Sequence, residues 1–230
     1  MSNRSKDFVI ENPTLIRDQI YARIRQEILS GSITTGSQVL EGRMAKQFKV
    51  SRTPVREALH ALEMEGFVES FPRVGYRVRE IAWAETMEIY ELRAVLEPLG
   101  ARKAIENSDQ TYIDALETVV DKAEAEVRQC SLDTFLQQDA KFDEIILRAC
   151  GMKLMRDLWH RLRHRLALYR MQVPDAFGID ARLRSIKGHR RILACLKAKD
   201  REAVRTAIIE HLNDSRKVIN HAAFDKRVDS

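Results

Sequence analysis

Ten residues, Val50-Ser51-Arg52-Thr53-Pro54-Val55-Arg56-Glu57-Ala58-Leu59, constrain this chain more than any others. They read as the start of a helix with a defined tip. The Thr53 hydroxyl can cap it by accepting from an orphan backbone N–H. Pro54 fits the first helical position, where no N–H is needed. Arg52 and Arg56, one helical turn apart, leave the same side of that tip. Val55, Ala58, Leu59 and Leu62 give the helix an apolar back that must dock on a core. Such a helix is suited to enter a DNA groove. Taken alone, the ten residues also fit an ordinary basic surface helix.

The neighbourhood narrows that choice. Between Gly42 and His60 stand five basic residues (Arg43, Lys46, Lys49, Arg52, Arg56) and one acid, Glu57. Positive charge concentrated in this way attracts phosphates, whereas the whole-chain charge of +5 only permits an anionic partner. Upstream, Leu15, Ile16, Ile20, Ile24 and Ile28 recur at helical spacing, and Ser30-Gly31 can stop that helix. Ser32–Gln38 reads as a turn-rich connection. A short helix is predicted near Glu41–Phe48, then one over Ser51–Glu65 that Gly66 ends. Val68–Phe71 and Tyr76–Val78 read as strands joined through Pro72-Arg73-Val74-Gly75. This order is that of a winged helix-turn-helix, with Arg73 and Arg77 on a wing laid against DNA backbone or minor groove.

Beyond Ile81 the pattern is helical throughout, with helices predicted near 84–107, 109–129, 131–149, 152–172, 180–198 and 200–222. Pro98 should kink the first or displace a turn. The expected fold is mainly α: a winged helix-turn-helix over 13–80, an all-helical bundle over 84–222, a flexible arm over 1–12 and a disordered tail over 223–230. The 44% apolar content can bury a real core. No run is long enough to span a membrane, and Met1–Asn12 lacks the apolar stretch of a signal peptide. Scattered Cys130, Cys150 and Cys195 fit a reducing cytoplasm.

Polar residues stand on the apolar stripes of the bundle. Asp139 and Asp143 share a face with Phe135, Phe142 and Ile146; His189 lies with Ile186, Leu193 and Leu196; His211 lies with Val204, Ala207 and Ile208. A buried, unpaired carboxylate costs several kcal/mol, so these groups need partners. One divalent cation would satisfy all four, and carboxylate with imidazole suits zinc, nickel, manganese or iron. Pairing of the two aspartates with the histidines or a nearby arginine, without metal, is the alternative. Arg93 lies on the face of Ile89, Tyr90, Leu96 and Gly100, where it can grip a carboxylate or pair with Glu97. Arg161, Arg163, Arg165 and Arg170 read chiefly as a solvated face, a share of which can line an anionic pocket.

The chain resembles the GntR family of bacterial transcription regulators. The residues that carry the resemblance are Ile28-Leu29-Ser30-Gly31, Val50–Leu59, Leu62-Glu63-Met64-Glu65-Gly66-Phe67-Val68 and Gly75 before Val78. The helical half is similar to the FCD type of effector domain. The resemblance implies DNA contacts at Arg52 and Arg56, with Ser51 and Thr53 beside them. It departs where the usual turn proline is Thr35, and where the arginine that commonly opens the second helix is Gly42; Arg43 follows, and a phosphate contact suits it better. The resemblance also implies a metal held by Asp139, His189 and His211. A further departure is Asp143, where the family usually has histidine. The expectation is a cytoplasmic regulator, a repressor by the commoner mode, that binds a palindromic operator as a homodimer. It would sense a small carboxylate through the metal and Arg93. A metal-dependent enzyme with a DNA-binding head and a general DNA-coating protein are the rival readings.

Overall fold

The structure, a computed structural model, describes residues 13–107 and 109–228, with side chains over 16–107 and 109–221. The expected arm over 1–12 lies outside the described residues. The chain divides into two compact units between Arg79 and Glu80.

The first unit contains α1 (Pro13–Leu29), β1 (Gln38–Val39), α2 (Glu41–Phe48), α3 (Arg52–Met64), β2 (Val68–Phe71) and β3 (Gly75–Val78). Its core is the meeting of two periodic faces. Ile20, Ile24 and Ile28 of α1 and Val55, Leu59 and Leu62 of α3 are all buried, and the two helices pack together. Each such side chain contributes about 1.5–3 kcal/mol on burial. The sheet is antiparallel in the order β1-β3-β2, with Gln38 opposite Arg77 and Ser70 opposite Tyr76. Strand β1 has only two residues, too few for alternation to reveal, and falls at the end of the stretch read as a connection.

The tip of α3 differs from the expectation. Arg52 is its first residue and Ser51 holds the cap position in extended backbone, with no side-chain cap bond. Thr53 is therefore not the cap but the second helical residue, and Pro54 the third. The proline still costs no hydrogen bond, because the N–H groups of a first turn have no helical partner. The turn before α3 closes through Lys49 in the left-handed region (φ 56°), with Val50 N–H donating to Ala45 O at 3.0 Å.

The second unit is helical among the described residues: α4 (Trp83–Asn107), α5 (Gln110–Glu126), α6 (Leu132–Ala149), α7 (Lys153–Gln172), α8 (Ile179–Lys197) and α9 (Arg201–Val228), with a 3-10 turn at Pro174–Phe177. Helix α4 runs through Pro98 without a break, and α9 passes residue 222, where the tail was expected, to reach Val228. Helices α4, α6, α8 and α9 pack together around the polar residues described below. No helix among the described residues is long and apolar enough to cross a membrane.

Candidate nucleic-acid interface and buried polar centre

In the first unit Arg43, Ser51, Arg52, Thr53, Arg56, Arg73 and Arg77 are all exposed. Arg73 is at the hairpin tip in the left-handed region (φ 65°), where Val74 N–H donates to Phe71 O at 3.1 Å. Arg77 lies over the Phe71 ring at 4.8 Å. Arg56 is tied to Glu41 of α2: its Nε donates to Oε1 at 2.9 Å and its Nη2 to Oε2 at 2.8 Å.

In the second unit, α6, α8 and α9 bring Asp139, His189 and His211 together, all buried, with one ligand atom of each within 4.8 Å of the others. The carboxylate of Asp139 is divided between two tasks. Oδ2 accepts from Arg163 Nη1 and Arg170 Nη1, each at 3.0 Å. Oδ1 accepts from Ser185 Oγ at 2.9 Å and lies 3.6 Å from His189 Nε2. His189 stacks on Phe142 with centroids 4.2 Å apart and meets His211 at 4.7 Å. Burial would push the Asp139 carboxyl up, but Arg170, Arg163 and His189 hold it well below its usual range. Burial pushes His189 down to about 4, against the pull of Asp139, and His211 down to about 3, helped by His189.

Asp143 is not part of this group. Its Oδ2 faces Arg93 Nη2 at 3.4 Å, while Arg93 Nε donates to Glu97 Oε1 at 2.6 Å and Trp159 Nε1 donates to the same oxygen at 2.9 Å. Burial and the neighbouring Glu97 push the Asp143 carboxyl up to about 8, against Arg163 and Arg93. Arg93 Nη1 and His189 Nε2 are buried without a hydrogen-bond partner among the described residues. The adjoining cavity is lined in part by Asp139, Arg170, Arg184, Ser185 and His211.

Two sequence profiles match the chain: one described as bacterial regulatory proteins, gntR family, over residues 16–78, and the FCD domain over residues 88–214. The chain belongs to the GntR family of transcriptional regulators and carries an FCD domain. Among curated relatives, it is 27% identical over 216 residues to the uncharacterized HTH-type transcriptional regulator YdhC of Bacillus subtilis (strain 168), covering 94% of this chain and 96% of that one. It is 26% identical over 194 residues to the gluconate operon transcriptional repressor of the same organism, covering 83% and 79%. It is likewise 26% identical over 204 residues to the HTH-type transcriptional repressor RspR of Escherichia coli (strain K12), covering 88% and 89%. Among solved structures, E. coli McbR/YncC superposes with a TM-score of 0.79 at 21% identity, over 90% of this chain and 97% of that one, a likeness of fold. These relatives are regulators rather than enzymes.

Within this GntR-family chain the residues of the buried centre fit a divalent cation. Oδ1 of Asp139, turned away from the two arginines, and the unpartnered Nε2 of His189 are hard and borderline donors suited to zinc, nickel or manganese. Both imidazoles are held in the neutral form that ligates metal. Asp143 does not complete the set. It lies one turn beyond Asp139, about 6 Å along the helix, and its short side chain goes to Arg93 where a longer histidine could reach back. Arg163 and Arg170, expected chiefly on a solvated face with a share lining an anionic pocket, are instead buried, because both turn inward to Asp139. The signal that places them is their register with Trp159 and Leu166, the buried stripe of α7.

Proposed function

We propose that this GntR-family protein is a cytoplasmic repressor that binds a palindromic operator as a homodimer and lets go when a small carboxylate enters the FCD domain. On the DNA side, Arg52 and Arg56 read base edges, with Ser51 and Thr53 on the same exposed turn. Arg43, Arg73 and Arg77 contact phosphates. The names of two relatives as repressors support the direction of control.

The observation that carries the effector class is the unpartnered Nη1 of buried Arg93. Three buried guanidiniums (Arg93, Arg163, Arg170) face the carboxylates of Asp139 and Glu97, with Asp143 keeping its proton at neutral pH. A buried donor left without an acceptor costs about 1–3 kcal/mol, and an incoming carboxylate is the group that answers both the donor and the charge. Asp139, His189 and His211 would hold the cation, which when bound supplies a Lewis-acid position for a ligand oxygen. The cavity has room for one or two waters. Arg93 is not among its lining residues, so a carboxylate of several atoms reaches Arg93 only as side chains move, and that movement gives the ligand its preference for one state.

Homodimer formation is supported by an exposed apolar face. Leu92 and Val95 on α4, and Met152, Leu154 and Leu158 beside or on α7, are exposed on two helices that pack together, where Leu96 and Leu99 of α4 lie against the cluster of Leu147, Cys150, Met155 and Trp159. A face of this kind marks a protein contact.

Calorimetric titration of the full-length protein, loaded in turn with zinc, nickel or manganese, with a panel of small mono- and dicarboxylates tests the reading. A carboxylate should bind the wild type, bind Arg93→Ala at least about tenfold more weakly, and release the protein from operator DNA in a gel shift. Binding that is indifferent to Arg93→Ala, or no binding by any carboxylate, overturns it.

A further inference from the structure

We infer that Glu41 is a positioning residue for DNA readout, bracing one edge of the Arg56 guanidinium so that the opposite edge is presented to a base. The inference rests on the proposed base-reading role of Arg56.

The geometry is fork to fork. Glu41 opens α2, Arg56 is on the second turn of α3, and their bond bridges the two helices of the DNA-reading pair. Arg56 spends Nε–H and one N–H of Nη2 on the carboxylate, two of its five donors. The two N–H groups along the far edge, one on Nη1 and one on Nη2, remain for another acceptor. Two parallel donors are what the O6 and N7 of guanine accept in the major groove. A long arginine side chain otherwise loses rotamer freedom on reaching a base; the brace removes that freedom beforehand.

A stabilising bridge is a poor explanation of the same pair. The Arg56 side chain is 64% exposed, and exposed bridges add little to stability. The carboxylate also lies close enough to Arg52 to feel its charge, on a helix that carries Arg43 and Lys46, and there it reduces the general attraction for phosphates. The Arg56 bond keeps Glu41 below its usual carboxyl range, so it carries its charge as DNA approaches. A role in selectivity accounts for an acid in that position. Arg52 offers the contrast. Its guanidinium rests against Gly42, where a Cβ would lie 3.5 Å from Nη2, and so has a wall but no carboxylate fork from that residue.

The test starts from a duplex selected by the full-length wild-type protein out of random-sequence DNA. Affinities are then measured for that duplex, for every single base-pair change in it, and for an unrelated duplex, using wild type, Glu41→Gln, Arg56→Ala and Arg52→Ala. Arg56→Ala should erase discrimination of roughly fivefold or more at one base pair per half-site. Glu41→Gln should lower discrimination at that same base pair by about threefold or more, leave the base pair that depends on Arg52 untouched, and leave or raise affinity for the unrelated duplex. Melting temperatures confirm that the variants are folded. If Glu41→Gln weakens all duplexes equally, or leaves discrimination at the Arg56 position intact, the brace is wrong while the base-reading role stands. If Arg56→Ala costs no discrimination anywhere, the base-reading role fails and the brace with it.

Discussion

The imidazole of His211 occupies the space that a β-carbon on Gly188 would fill. Helices α8 and α9 can therefore bring His211 beside His189 only while residue 188 has no side chain. Gly188→Ala should overpack this contact and cost about 1–3 kcal/mol. It should also displace His211, and metal affinity should fall by about tenfold or more. Denaturant unfolding and competition with a chelator check the two effects. An alanine variant that binds zinc as wild type does would show that His211 is not a ligand.

Asp139 has a second role that is independent of any cation. Arg163 and Arg170 both donate to its Oδ2 from within the core. Asp139→Ala leaves two buried guanidiniums without that acceptor, and breaking a buried pair typically costs about 3–5 kcal/mol. Urea unfolding in the presence of a chelator should show a loss of this size. A loss below about 1 kcal/mol would mean that the arginines find water instead.

Stability should peak near pH 6.5 in metal-free buffer. Burial holds His189 at about 4 and His211 at about 3 in the folded chain, against 6.5 when unfolded. Below 6.5 the unfolded state takes up protons that the folded state refuses, so stability rises with pH up to that value. Asp143 acts in the opposite sense. Its folded value near 8 exceeds the ordinary 3.8, so its contribution is complete below 3.8 and is lost as pH climbs through 8. Two imidazoles outweigh one carboxyl below 6.5, and above it Asp143 alone among the three still titrates. Melting curves of wild type should decline from pH 6.5 to 8, and Asp143→Asn should flatten that limb while keeping the acid one. A decline that persists in the variant would assign it to another group.

Much of the fold was legible because periodicity is a backbone property. Ile20, Ile24 and Ile28 share a face whatever they pack on, and the joints at Ser30-Gly31 and Gly66 announce themselves by residue type. The buried centre was legible in part for the same reason: charged residues on an apolar stripe must find partners. Which partners they find is a question of reach across helices, and sequence spacing does not encode it. Asp139 and Asp143 look equivalent on α6, yet one faces His189 and the other Arg93. The Glu41–Arg56 fork joins residues on two helices, and the acid's proximity to the base exists only once the helix-turn-helix has folded.

The exposed face of α4 and α7 makes a prediction about assembly. Leu154 is 84% exposed and Val95 68% exposed, so neither supports the core of its own unit. Replacing both with aspartate should leave the melting temperature of an isolated subunit nearly unchanged. In a dimer, each replacement would place a charge in a desolvated contact, at a cost of several kcal/mol per buried ion. Sedimentation velocity should therefore show wild type as a dimer and the double variant as a monomer at the same concentration. A monomer offers one DNA head, so the variant should bind a single half-site about as well as wild type does and lose the added affinity that two linked heads gain on the full palindrome. A double variant that sediments as a dimer would place the interface elsewhere on the molecule.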